Sequence, residues 1–73
     1  MAPRPAERTG VLVIRAWFEP GPGGGLRARI RRTVDVSSPG ETVTVTASPE
    51  EITRVVVDWL DAFILAAVEV TER

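Results

Sequence analysis

The chain has no cysteine, no histidine, no lysine and no tyrosine. Without cysteine it has neither a disulfide staple nor a thiolate metal site. Without histidine it lacks the commonest transition-metal ligand and the commonest general base. Catalysis would have to rest on carboxylates, Ser and Thr hydroxyls and arginine, so no cofactor, no metal and no enzymatic activity are expected. Long apolar runs are missing too. The richest patches, near Val55–Val57 and Ala62–Val68, are interrupted by Asp58 and Asp61, whereas a membrane span needs roughly 18–20 apolar residues. The first ten residues, MAPRPAERTG, have no apolar h-region of a secretory signal. A cytoplasmic protein that does not engage a membrane is expected.

Length and charge narrow the field further. Seventy-three residues make one small domain, and a chain of this size buries only about 60% of the surface exposed by its unfolded form. With disulfides and metals excluded, oligomerisation is the stabilising device left. The net charge is −1, from nine basic and ten acidic residues, which argues against general attraction to nucleic acid or anionic lipid. All nine basic residues are arginine. Beside so much Ala, Val, Gly and Pro, this reflects genome composition rather than selection at each site.

What is present has a clear order. Residues 1–9, with Pro3, Pro5 and mixed charge, read as a flexible lead-in. VLVIRAWF is β-branched and aromatic, and predicts a strand over about 10–19. EPGPGGG must be a loop, because Pro20 and Pro22 cannot donate to a ladder. LRARIRRTVDV alternates, with Leu26, Ala28, Ile30, Val34 and Val36 on one parity, and predicts a half-buried strand over about 26–36. SSPGE is a turn. ETVTVTA predicts a strand over 42–47, with Val43, Val45 and Ala47 towards the core and Thr42, Thr44 and Thr46 away from it.

The last third is helical. Ser48-Pro49-Glu50-Glu51 has the form of a capping box, in which Ser48 caps the Glu51 amide and Glu51 reaches back to the Ser48 amide. Pro49 suits the first helical position, and the two glutamates suit the positive end of the helix dipole. Ile52, Val55, Val56, Trp59, Leu60, Phe63 and Ala67 form the apolar stripe of a helix over about 49–70. The fold class is therefore α+β: a three-stranded antiparallel meander followed by one amphipathic helix across one face, β-β-β-α. Matching apolar parities pairs Ala16 with Ile30, Leu12 with Val34 and Val36 with Val43. Arg32 then falls on the core parity opposite Ala47. It is tolerable there only if it snorkels out at the helix edge or a bulge intervenes.

The glycine run fails as a phosphate cradle. A phosphate loop needs Lys and Ser or Thr after the glycines and a helix behind them, but here four arginines in a strand follow. Arg27, Arg29 and Arg31 line the sheet face away from the helix, with Trp17 opposite Arg29, Glu19 opposite Arg27 and Arg15 opposite Arg31 in the expected register. An aromatic among arginines on an open sheet suits single-stranded nucleic acid. Nucleic-acid binding through Trp17, Arg15, Arg27, Arg29 and Arg31 is accordingly the alternative reading. Asp58 and Asp61, three apart on the helix, point away from the core, where carboxylates are merely solvated.

Surplus apolar residues carry the leading reading. The first strand is apolar on both parities. Leu12, Ile14, Ala16 and Phe18 suit the core, yet Val11, Val13 and Trp17 face the open side. Val57, Leu65 and Val68 fall outside the helix stripe, with Ile64 at its margin. The first strand is also an edge, and Val11–Ile14 has neither charge nor proline to blunt it. A protein-interaction module is expected, either a homo-oligomer or a small subunit of a larger protein assembly, with contacts through Val11, Val13, Trp17, Val57, Leu65 and Val68. Two copies pairing edge to edge would make a six-stranded sheet.

Overall fold

A computed structural model describes residues 8–71 of the chain. Three antiparallel strands, β1 (Val11–Glu19), β2 (Gly25–Thr33) and β3 (Thr42–Thr46), form an open sheet in the order β1-β2-β3, followed by α1 (Pro49–Thr71). The expected β-β-β-α architecture is the one observed. Of the expected lead-in, residues 1–7 lie outside the described residues, while Arg8 and Thr9 are tied to the domain. The Arg8 guanidinium pairs with Asp35 at 3.3 Å, and the Thr9 carbonyl accepts the Val36 amide at 2.9 Å.

The sheet register differs from the one expected, and its cause lies at the end of β2. The strand stops at Thr33 rather than at Val36. There the Thr33 hydroxyl accepts the Asp35 amide, and the Asp35 carboxylate accepts the Ser37 amide and hydroxyl, a side-chain-stabilised turn that ends the ladder. Val34 and Val36 therefore leave the sheet. Leu12 pairs with Arg32, Ile14 with Ile30 and Ala16 with Ala28, a shift of two residues that preserves the faces.

Between β2 and β3 the shift is odd. Thr42 pairs with Arg32, Thr44 with Ile30 and Thr46 with Ala28. An odd shift exchanges the two faces of a strand, so Thr42, Thr44 and Thr46 face the helix, while Val43 and Val45 join the open face and are exposed. The exchange places threonine hydroxyls where polar partners are needed. Thr44 Oγ1 accepts Arg32 Nη1 at 2.8 Å, so Arg32 sits half-buried on the helix face without a bulge. Thr46, buried, donates its hydroxyl to the Glu51 carboxylate and accepts the Ser48 amide at 3.0 Å. The capping box is thus modified: Ser48 Oγ accepts the Glu51 amide at 3.1 Å as expected, but Glu51 reaches Thr46 rather than the Ser48 amide.

The helix starts beside Thr46, level with Ala28 and Ala16, and runs towards the opposite end of the sheet. Trp59 Nε1 donates to the Thr33 carbonyl at 3.0 Å, and Trp59 stacks on Phe63 with ring centroids 5.8 Å apart. Gly10 lies under both rings. A Cβ there would come within 2.9 Å of Phe63 and 3.0 Å of the Thr33 carbonyl oxygen, so only glycine permits this approach. Two overhangs result. The β1–β2 hairpin runs about 10 Å past the end of β3, and the helix runs about 12 Å past Phe63.

Candidate interaction surface

The core that this arrangement closes is small. Among the described residues only Ala28 and Ile30 are fully buried apolar side chains, at the centre of β2 under the helix. Among the same residues twelve large apolar side chains are at least 42% exposed. They include residues expected in the core. Ile14 and Phe18 face the helix side of β1, yet Phe18 is 78% exposed because the helix starts level with Ala16 and leads away from it, and Ile14, on the edge strand, is 42% exposed. Ala16 is exposed as well, and Leu60, placed in the core stripe by its spacing, is 43% exposed. Ala66 takes a half-buried place on the stripe instead.

Of the residues expected at an interface, Val11, Val13, Val57, Leu65 and Val68 are all exposed. They do not form one patch. Val11 and Val13 lie on the open sheet face beside Arg31, whereas Val57, Leu65 and Val68 lie on the helix. On the helix, Val57, Leu60, Ile64 and Val68 follow a 3,4,4 spacing, a second apolar stripe turned about 130° from the one that meets the sheet.

Trp17, the sixth expected interface residue, is half-buried and already engaged. The Arg15 guanidinium lies 5.1 Å from its ring centroid, and its Nε1 donates to Glu19 at 3.2 Å. Trp17 pairs with Arg27 rather than Arg29, Arg15 with Arg29 rather than Arg31, and Glu19 with Gly25 rather than Arg27. The cation–π partner of Trp17 is therefore Arg15, two residues earlier on its own strand.

The arginine row is largely occupied by the protein itself. Arg27 pairs with Glu19 at 3.7 Å and donates to the Gly23 and Leu26 carbonyls, fastening the hairpin loop. That loop turns through Gly21, Gly23 and Gly25, all at positive φ, so its glycines answer to backbone geometry rather than to phosphate. Arg31 pairs with Glu41 at 3.2 Å. Arg15, Arg29 and Arg31 with Val13 line a shallow depression of about 250 Å³. Among the described residues, Arg15 and Arg29 there have no carboxylate partner.

A larger open cavity of about 550 Å³ lies at the other end of the sheet, between Arg8, Arg32, Asp35, Glu41 and Trp59. Its charges are engaged as well, Arg8 with Asp35 and Arg32 with Thr44. Hydrogen bonds from the Ser37 hydroxyl and amide, with the Arg8 charge nearby, hold the Asp35 carboxyl below its ordinary range. The same effect, from its own amide and the Ser48 hydroxyl, lowers Glu50. Both shifts stabilise a turn or a helix start, and neither group is poised to donate a proton near neutrality. Asp58 and Asp61 are exposed on the helix, and no cluster of acidic side chains among the described residues is arranged to hold a metal ion.

No helix among the described residues is long and apolar enough to cross a membrane. Comparison with protein-family models, with curated proteins and with solved structures gives no match.

Proposed function

We propose that the chain is a non-enzymatic protein-interaction module, working as a homo-oligomer or as a small subunit of a larger assembly. The observation that carries this reading is the disproportion between two buried apolar side chains and twelve exposed ones in a domain this small. Scattered exposed apolar residues are ordinary. Here nine of the twelve lie on the unprotected edge strand β1 with its bare tip at Phe18 and on the helix from Val57 to Val68, where a partner would recover the hydrophobic free energy that the chain alone leaves unused.

The test is photo-crosslinking in cells from a reactive side chain at position 18 or 65, with position 29 as control. Discrete protein adducts from 18 and 65 are expected. Nucleic-acid adducts from position 29, with none to protein from the other two, would overturn the reading. They would favour the second one, in which Arg15 and Arg29 hold phosphate. That reading rests on the guanidiniums of Arg15 and Arg29, which have no carboxylate partner among the described residues, but it requires Arg15 to leave the Trp17 ring before a base could stack there.

A further inference from the structure

The edge of β1 specifies an occupant. We propose that β1 pairs antiparallel with the β1 of a second copy about a twofold axis at Ile14, making a continuous six-stranded sheet. This inference rests on the interaction reading above and names its partner.

Two observations support it. The strand is nine residues long and pairs with β2 without a bulge, and its outer edge has no proline and no charge from Val11 to Ile14. Natural edges of this length are normally blunted.

Register makes the second argument. With Ile14 opposite the partner's Ile14, Leu12 meets the partner's Ala16, and Phe18 comes beside the partner's Gly10. Gly10 is where Phe63 lies and where the helix begins its overhang. The bare tip of each hairpin therefore comes alongside the overhanging helix of the other copy, so that each overhang covers what the other leaves open. On the open face, Val13 lies opposite the partner's Arg15 and Val11 opposite the partner's Trp17. Moving the axis to Arg15 would set two arginines directly opposite each other, which is unfavourable. Moving it to Val13 would carry Phe18 beyond the partner's Gly10 and shorten the ladder.

The absence of native cysteine makes the register directly readable. Ile14→Cys should form an intermolecular disulfide on mild oxidation, because directly opposed residues of an antiparallel pair have Cα atoms within disulfide reach. Leu12→Cys and Ala16→Cys should each fail alone and should crosslink when mixed. Light scattering on the wild-type chain should give twice 7.9 kDa. Val13→Lys sets a lysine opposite the partner's Arg15 twice per dimer and should raise the dimer Kd about tenfold or more. Adding Arg15→Glu should reverse the loss, which simple misfolding would not allow. A wild-type chain that stays monomeric at micromolar concentration overturns the proposal, as does crosslinking by Arg15→Cys in place of Ile14→Cys. Protein adducts from position 18 in cells, together with a monomer in solution, would retain the interaction reading and remove only the second copy as its partner.

Discussion

The two ends of the sheet carry the same alternating pattern and meet different fates. At one end Gly10 and Thr33 converge under Trp59 and Phe63, and the Asp35 turn adjoins them, so that backbone, turn and helix are joined by hydrogen bonds and stacked rings. At the other, Phe18 is 78% exposed although its parity is that of buried Ala28 and Ile30. Alternation tells which face of a strand a residue occupies, but not whether anything lies above that face. Burial on the helix side depends on where the helix starts, and Ser48 starts it next to Thr46, leading away from the hairpin tip.

The largest test of this contrast deletes one aromatic at each end. Trp59→Ala removes the stack on Phe63 and the bond to Thr33, and should cost about 3–5 kcal/mol in urea unfolding. Phe18→Ala, made in the Val13→Lys chain and measured below its dimer Kd, should change stability by no more than about 0.5 kcal/mol. A comparable loss from both would mean that the tip is packed within a single copy.

A smaller test compares two glycines. Gly10→Ala forces a methyl against Phe63 and the Thr33 carbonyl, and should cost about 1–3 kcal/mol. Gly21→Ala meets nothing within 4 Å, and its cost of about 1 kcal/mol should arise only from φ of 92°. Equal melting-temperature losses would show that close packing at Gly10 is not what distinguishes the closed end.

The smallest effect is in acid. Asp35 is held below its ordinary value of 3.8, so its carboxylate stabilises the closed end above that pH, and the contribution disappears as pH falls through the lowered pKa. The protection of the Val36 amide relative to its intrinsic exchange rate should fall over that range while the hairpin tip is unaffected, and Asp35→Asn should remove the dependence. A fall of the same size at Leu26 would indicate global unfolding instead.

Much of this was legible in one dimension, for reasons confined to neighbours in the chain. The capping serine, the first-turn proline and the helical spacing are local, so α1 was readable almost to its ends. Period two marked all three strands. The register between β2 and β3 was not readable by the same means. Continuing β2 to Val36 follows naturally from the alternation, but the Thr33–Asp35–Ser37 hydrogen bonds end the strand early, and the odd shift that follows exchanges valines for threonines across β3. The arginine row was visible as a row, but which carboxylate holds each guanidinium, and that Arg15 rather than Arg29 covers Trp17, depends on the pairing.

The sequence by itself determined the order β-β-β-α, the helix and its cap, the loop glycines and an excess of apolar residues over what a short chain can bury, because each follows from local backbone preference, periodicity or amount. Only the tertiary structure decided which of those apolar residues stay exposed and on which face the threonines lie. That depends on where one helix crosses one sheet, a relation between segments distant in sequence that no local pattern encodes.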